Sequence, residues 1–430
     1  MSGRIEKLAD ENFDVIVVGA GPAGASAAIR LASVGARVAL VEQKKFPREK
    51  LCGEFISPEC LEHFARLGVA DEMTGAGGAG LRETIFYAAS GRSLGVPSAW
   101  FARAGGATRA LGLSRAEMDA RLLVRARAAG ATVLEEAHAS VVYDGARVRG
   151  VRVRAEGGAE QSFTAAVTID ATGRTRALAR KVERAAHEEE GVGDESLDAE
   201  GARRRLVAFK AHLEGARAAE GACEIYFYRG GYGGLSSVER GLSNLCFIIS
   251  AADVRARAGD AERVMREVMC TNRRAAETLR EARVASPWLA VALEGFGRFR
   301  VVPAPGLIAV GDAASFIDPF TGSGMLMALE SGELAAAAVA RNLATLRDAG
   351  SCAASSDASF EVSFGALASE YRSLYRERFG ARLRVCSYLR RAAFAPGVLV
   401  ELGVAALGAS ASFRRGLARA TRGRRGVESS

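Results

Sequence analysis

Histidine is scarce in this chain, four residues in 430, and tryptophan scarcer, with two. His63, His138, His187 and His212 lie far apart and form no metal-ligand spacing. The seven cysteines (52, 60, 223, 246, 270, 352 and 386) are odd in number and never pair as CxxC. That excludes a sequence-coded zinc site and a disulfide framework, so no metal is expected and a reducing, cytoplasmic setting is. No apolar run reaches membrane-spanning length, and the polar start MSGRIEKLADEN is unlike a secretion signal. Lysine is rare among the 58 basic residues, and the net charge of +8 is mild for this length. A solvated surface accounts for it better than nucleic acid does, and no RNA- or DNA-binding motif is present.

What is abundant is glycine, 49 residues, in a chain 49% hydrophobic and 25% charged. That is an ordinary globular composition with length for about two or three domains. One stretch organises it. Phe13 to Val18 is a β-branched apolar run, as in a buried parallel strand. Gly19-Ala-Gly21-Pro-Ala-Gly24 follows and opens a helix to about Val34. A second strand, Arg37 to Val41, ends at Glu42. Gly19 allows the tight turn, Gly21 lets the backbone approach a pyrophosphate, and Gly24 lets helix and strand pack closely. The helix N-terminus offers N–H groups to phosphate, and Glu42 is placed to accept from a ribose diol. A bare GxGxxG is weak evidence in so glycine-rich a chain. The strand before it, the helix after it and the acid at the next strand tip make it specific.

Further along, Arg48 and Lys50 are in reach of phosphate or ribose. Cys52-Gly53 sits in an irregular loop, and a helix runs from about Pro58 to Leu67. Ser114 to Glu117 reads as a capping box opening a helix to about Ala129. Arg115 lies in its first turn, where the helix dipole disfavours a cation. It therefore calls for a partner, an anionic cofactor or a carboxylate. Thr132 to Asp170 shows strand periodicity broken at Asp144-Gly145 and Gly157-Gly158. Residues 183–205 are expected to be a charged loop or helix. A second β-rich block spans Leu206 to about Ser250, and a helical segment spans Ala261 to Arg283. Leu307 to Val310 is a short buried strand ending at Gly311-Asp312, and the turn Thr321–Gly324 opens a long helix to about Asn342. Strand tips and helix N-termini again converge, as at ligand sites of open α/β sheets. From Gly365 on, 13 arginines and 4 glutamates carry about the whole net charge. There, Gly397 to Arg425 joins an apolar face to a basic end. It reads either as a helix packed on its own protein or as a helix lying on an anionic membrane.

Three separated motifs, GAGPAG at 19–24 with Glu42, IDATGR at 169–174 and VGDAASFIDPFTGSG at 310–324, together resemble the FAD-dependent oxidoreductases with the para-hydroxybenzoate hydroxylase fold. FPREKLCGE is similar to the Lys-x-Cys-Gly segment of the geranylgeranyl reductase branch, with halogenases more distant. The resemblance implies an α/β plus β chain: a Rossmann-type FAD-binding domain (10–75, 105–182 and 300–345), an interleaved β-sheet substrate domain (76–104 and 183–299), and a helical, basic C-terminal region (360–430). It implies that Gly19, Gly21 and Gly24 hold the FAD pyrophosphate and Glu42 the adenosine ribose. Arg48 and Arg115 would contact the ribityl or phosphate region, and Asp312 the ribityl chain. Asp170 and Gly173 would lie near the pyrophosphate and the nicotinamide donor, with Thr172 a departure from the usual motif. Gly322, Ser323 and Gly324 would set a helix N-terminus against the flavin pyrimidine. Cys52 would face the reacting ring as the single catalytic candidate.

The reading is an FAD-dependent monooxygenase acting through a peroxyflavin on an aromatic or polyketide-like secondary metabolite. NADPH or NADH would dock transiently as donor, or a separate flavin reductase would supply reduced flavin. Tyr226, Tyr228 and Tyr232 are expected as aromatic walls, with ordinary sheet packing as the alternative. The Tyr-x-Trp-x-Phe-Pro-Lys run of lipid reductases and the Trp-x-Trp-x-Ile-Pro run of tryptophan halogenases are both absent. The rivals are a reductase or dehydrogenase of an isoprenoid or quinone-like lipid, a halogenase, and a flavin-free escort protein on the same fold. Peripheral membrane contact through the basic C-terminus is the remaining partner expectation.

Overall fold

The computed structural model describes residues 12–102, 105–155, 158–189, 206–293, 295–351 and 357–422. Its principal elements run in chain order as follows. β1 (Phe13–Val18), α1 (Pro22–Ser33) and β2 (Val38–Val41) open the chain, followed by α2 (Pro58–Leu67). The hairpin β3 (Glu83–Tyr87) and β4 (Ser93–Pro97) precedes α3 (Arg115–Ala128) and β5 (Thr132–Leu134). A meander of β6 (Ala137–Asp144), β7 (Arg147–Ala155) and β8 (Glu160–Asp170) leads to α4 (Ala177–Glu189). Then come β9 (Leu206–Glu214), β10 (Ala222–Tyr228), β11 (Gly231–Ser237) and β12 (Ser243–Ser250), the short helices α5 (Ala261–Glu267) and α6 (Arg273–Thr278), and β13 (Leu289–Leu293). The chain closes with β14 (Leu307–Ala309), α7 (Gly324–Ser351), α8 (Asp357–Ala393), α9 (Gly397–Ala409) and α10 (Ala411–Ala420).

The first sheet has the parallel order β5-β2-β1-β8-β14. β1 at its centre is buried at every position, as a strand with neighbours on both sides and layers on both faces must be. β8 serves two pairings. Residues 160–164 run antiparallel to β7, whereas residues 165–170 run parallel to β1. α7 lies against α1, and Ser26 Oγ donates to the Leu329 carbonyl at 3.3 Å. Fully buried Ile29 and Leu31 of α1 contribute about 1.5–3 kcal/mol each by burial. α8 joins the same core through Phe360, Phe364, Tyr371 and Phe379. Its Tyr371 hydroxyl donates to the Ala309 carbonyl at the end of β14, at 2.8 Å. At the other end of the sheet, Asp14 is nearly inaccessible and accepts from Arg37 and Arg347. These two guanidinium groups hold its carboxyl well below the ordinary carboxylate range against the opposing effect of burial.

The second sheet is mixed. β9, β12, β11 and β10 form an antiparallel run, β13 pairs β9, and β3 adds to β10 in parallel with β4 outside it. The hairpin at 83–97 and the block at 206–293 are thus one sheet built from two distant segments. α5 and α6 cover its back through Val264, Met265, Ala275 and Leu279. The single helix expected over 261–283 is instead two short helices, capped by Asp260 and Asn272 and separated by a 3₁₀ turn. Asn272 breaks it because its side chain both caps α6 and donates to the carbonyls of Tyr87, Ala88 and Phe227. α4 continues past residue 183 and packs Leu178 and Val182 under the first sheet. The rest of the expected 183–205 segment, from residue 190, falls outside the described residues, as does Gly157.

Candidate functional site

A cavity of about 770 Å3 runs from the GAGPAG turn to the C-terminal helices. Its first end is a cradle. Gly19 has φ +103°, and a Cβ there would stand 2.3 Å from the Ala171 carbonyl oxygen. At Gly24 a Cβ would stand 1.8 Å from the Gly19 oxygen. Both glycines are demanded by the protein's own backbone. Gly21 differs. A Cβ there would meet only an Arg115 guanidinium nitrogen, at 3.7 Å, and otherwise points into the cavity. The cradle is open at the one glycine where a ligand backbone must come close.

Around the cradle the charges interlock. Glu42 is buried, and its carboxylate accepts from the backbone N–H of Ala20 (2.9 Å) and Lys44 (3.0 Å). Arg48 bridges Glu42 (3.5 Å) and Asp119 (3.1 Å). Arg115 forms a two-point ion pair with fully buried Asp119, at 2.9 and 2.7 Å. Its partner within the chain is therefore a carboxylate one helical turn on, and the guanidinium still lines the cavity. Lys50, Arg174 and Asp312 line it as well. Burial lowers the Lys50 ammonium, and nearby Arg115, Arg48 and Arg174 lower it further. Burial raises the Asp312 carboxyl, and Arg174, Arg115 and Lys50 oppose that rise. Cations outnumber anions at this end, which suits a diphosphate.

The middle of the cavity is the Cys52-Gly53-Glu54 loop facing the start of α7. Asn244 Nδ2 donates to the Cys52 carbonyl at 3.0 Å, and Ser236 Oγ to the Gly53 carbonyl at 3.1 Å. Glu54, fully buried at φ +53°, receives the Arg115 N–H (2.9 Å), Lys210 Nζ (2.6 Å) and His212 Nε2 (2.7 Å). Lys210 reaches on to Glu49 at the surface. Glu49, Glu54 and His212 stand close enough to hold a cation, but the Lys210 ammonium already occupies that role. Cys52 Sγ accepts the Glu54 N–H at 3.4 Å and lies 3.9 Å from Met325 Sδ. Burial pushes its thiol up, and Arg115 only partly offsets that, so the group is a protonated thiol at neutral pH.

The far end is largely apolar, with Arg414 and Arg422 the guanidinium groups that also line it. Phe86, Leu94, Val96, Ile225 and Phe227 of the second sheet face Val400, Val404 and Leu407 of α9 across it. The C-terminal helices thus close the cavity with one face of α9.

The FAD binding domain family matches this chain over residues 12–347. The chain belongs to that family. It is 29% identical over 332 residues to digeranylgeranylglycerophospholipid reductase 2 of Methanopyrus kandleri, covering 75% of this chain and 76% of that one. It is 30% identical over 337 residues to menaquinone reductase of Mycolicibacterium smegmatis, covering 75% of each. Among solved structures, the flavin-dependent brominase Bmp2 superposes with a TM-score of 0.73 at 18% identity, covering 96% of this chain and 93% of that one. At that identity the likeness speaks for the fold alone.

In this FAD-binding chain, the cavity brings together Gly19, Gly21, Glu42, Arg48, Arg115, Gly173, Asp312, Gly322, Gly324 and Cys52. Five expected residues do not line it: Gly24, which packs against the Gly19 backbone, and four that are turned elsewhere. Asp170 is fully buried, and its carboxylate accepts from Thr172 N–H, Thr172 Oγ1 and Ala179 N–H. It shapes the turn after β8 and the start of α4, so cavity contact falls to Thr172, Gly173 and Arg174. Ser323 is fully buried and pairs with Thr321 Oγ1 at 2.9 Å. Tyr226 and Tyr228 point to the back of the sheet, against α5 and its neighbours. Their hydroxyls bind Glu224 and the Ile248 carbonyl. In a strand, neighbours face opposite ways, and on β10 the cavity takes Cys223, Ile225 and Phe227. Tyr232 does line the cavity, and its hydroxyl donates to Asp318.

Sequence reasoning missed Glu54 and Asp318. Asp318 is nearly inaccessible, accepts from the Phe320 N–H (3.0 Å) and Arg390 Nε (3.1 Å), and ties α8 to the second sheet through Tyr232. Burial raises its carboxyl, and these donors oppose the rise. Glu54 directly follows the Leu51-Cys52-Gly53 run, but its partners Lys210 and His212 are distant in sequence.

Proposed function

We propose that this FAD-dependent oxidoreductase reduces a carbon–carbon double bond in an isoprenoid or quinone-like lipid. The observation that carries the reading is the continuity of the cavity. A cationic cradle at one end passes the Cys52 loop and opens directly into an apolar compartment roofed by α9. Such a compartment accepts a hydrocarbon chain and desolvates it. The reductase names of relatives about 30% identical support the same reading. This departs from the hydroxylase expected from the motif resemblance; of the three tyrosines expected as its aromatic walls, only Tyr232 lines the cavity.

Bound FAD would supply two-electron, hydride-level chemistry, with NADPH or NADH as the class of donor. The chain's residues bind and orient. Gly21, Arg48 and Arg115 would hold the diphosphate, Glu42 the ribose, and Asp312 the ribityl chain. The N-terminus of α7 at Gly322 and Gly324 favours negative charge at the pyrimidine edge. Cys52, held by Asn244 and Ser236 through its loop, is a neutral thiol that donates a proton to the second alkene carbon and regains it from water. Phe227 and Phe86 exclude water from the reacting bond.

The second reading remains hydroxylation of an aromatic substrate. It is favoured by the cluster of Phe86, Phe227, Phe320 and Tyr232, whose ring centroids lie 5.5–6.4 Å apart. The purified protein is to be incubated with NADPH or NADH and a geranylgeranyl or menaquinone lipid, under nitrogen and then under 18O2. Turnover under nitrogen with gain of hydrogen supports the reductase. A product carrying 18O and no anaerobic turnover overturns it for the hydroxylase.

A further inference from the structure

α9 is apolar all round, GVLVELGVAALGA, yet it is buried on one side only. Val400, Val404 and Leu407 recur at helical spacing and face the cavity. Val398 and Leu402, also at helical spacing, face solvent, and Leu399 beside them lies at the cavity rim. These three are 72%, 60% and 57% exposed, and Phe413 at the start of α10 is 64% exposed. A helix apolar on every face belongs in a core or at a membrane, and here no core covers the second face among the described residues. The described residues of α9 and α10 carry almost no charge that repels an anionic surface. The one acid of α9 and α10, Glu401, is turned back onto the protein, accepting from Ser90 N–H and Oγ at 2.9 Å each. Among the described residues, Arg415 and Arg419 of α10 and Arg391 near the end of α8 are exposed. α9 has 13 residues, and the chain bends by 112° between it and α10. Neither helix alone is long and apolar enough to cross a bilayer, and the bend lets the pair lie along an interface.

We infer that the outer face of α9, with Phe413 and the flanking arginines, docks on an anionic lipid bilayer. The apolar compartment beneath the same helix would then stand at the acyl-chain level, so a hydrophobic molecule passes beneath α9 without entering water. The docking does not depend on which reaction the flavin site performs.

The full-length protein is to be sedimented with vesicles of phosphatidylcholine and of phosphatidylcholine with phosphatidylglycerol. The inference expects partitioning onto the anionic vesicles that weakens in high salt. It expects a fall on the order of tenfold or more in the variant L402E/F413E, with circular dichroism and flavin content unchanged. Absence of vesicle binding overturns the inference. So does binding that the variant leaves intact, because another surface is then the contact. Self-association that the variant abolishes, without vesicle binding, also overturns it and assigns the face to a second copy. Turnover in detergent tests the reductase reading separately, so either proposal can fail alone.

Discussion

The glycines of the GAGPAG turn divide into two kinds, and substitution should separate them. Gly24→Ala puts a methyl group 1.8 Å from the Gly19 carbonyl oxygen and 2.9 Å from Ala171 Cβ. The neighbours are backbone and a core methyl, so helix and strand must part. Overpacking of this kind costs about 1–3 kcal/mol or more, and the apoprotein should melt several degrees lower. Gly21→Val meets only Arg115, at an ordinary contact distance, from a φ of −69° that any residue adopts. Its cost to the apoprotein should stay near the N-cap preference for glycine, about 1 kcal/mol. Its side chain occupies the space in front of Arg115. Displacing a diphosphate from about two charge-assisted hydrogen bonds at about 1.5–3 kcal/mol each amounts to about two to four orders of magnitude in FAD affinity. Melting curves of the apoproteins and FAD titration by flavin fluorescence read the two effects independently. A Gly21→Val protein that binds FAD like the wild type would refute the placement of the diphosphate over Gly21. A Gly24→Ala apoprotein as stable as wild type would refute the packing argument.

Three further outcomes are expected. Lys210→Met leaves the Glu54 carboxylate buried with a cationic partner missing, a loss of about 3–5 kcal/mol measurable as a lower urea midpoint, and E54Q in the same chain should recover most of it. His63 faces Glu330 and Glu333, with Arg66 opposing, and although burial lowers its pKa the two carboxylates raise it overall. Its contribution is thus complete below its unfolded value of about 6.5 and is lost as pH rises through the higher folded value; H63Q should flatten that part of the Tm–pH curve. Phe227→Ala should raise KM for a lipid substrate with flavin content unchanged, whereas Tyr228→Phe, on the back of the same strand, should leave KM alone.

Much of this was legible because local pattern and fold agree. Phe13–Val18 reads as a buried strand and is one, and Gly19 and Gly24 needed no tertiary knowledge beyond a strand followed by a helix. Glu54 was not legible, because its partners Lys210 and His212 lie 156 and 158 residues away and nothing local marks a carboxylate for burial. Asp170 was expected at the ligand from the resemblance of the IDATGR motif; its three donors come from the turn it shapes. The tyrosines of β10 failed on parity. Alternation was visible in the sequence, but which side held the cavity depends on α5, α6 and α9. For α9 itself, composition left packing and membrane contact as rivals, and the structure shows packing on one face with the other still open.

The interleaving of the two sheets also sets an order of synthesis. β1 and β2 leave the ribosome early, but the strand that covers the outer edge of β8 comes from residues 307–309, and the helix that covers α1 follows at 324–351. β3 likewise waits for its parallel partner at 222–228. Until some 300 residues have emerged, a strand edge and an apolar helix face are both bare, the condition in which nascent chains associate wrongly. Such long-range pairing also slows folding. Yield in a foreign host is therefore expected to depend on chaperone supply and slow translation more than on the stability of the finished protein, and fragments ending before β14 should be insoluble.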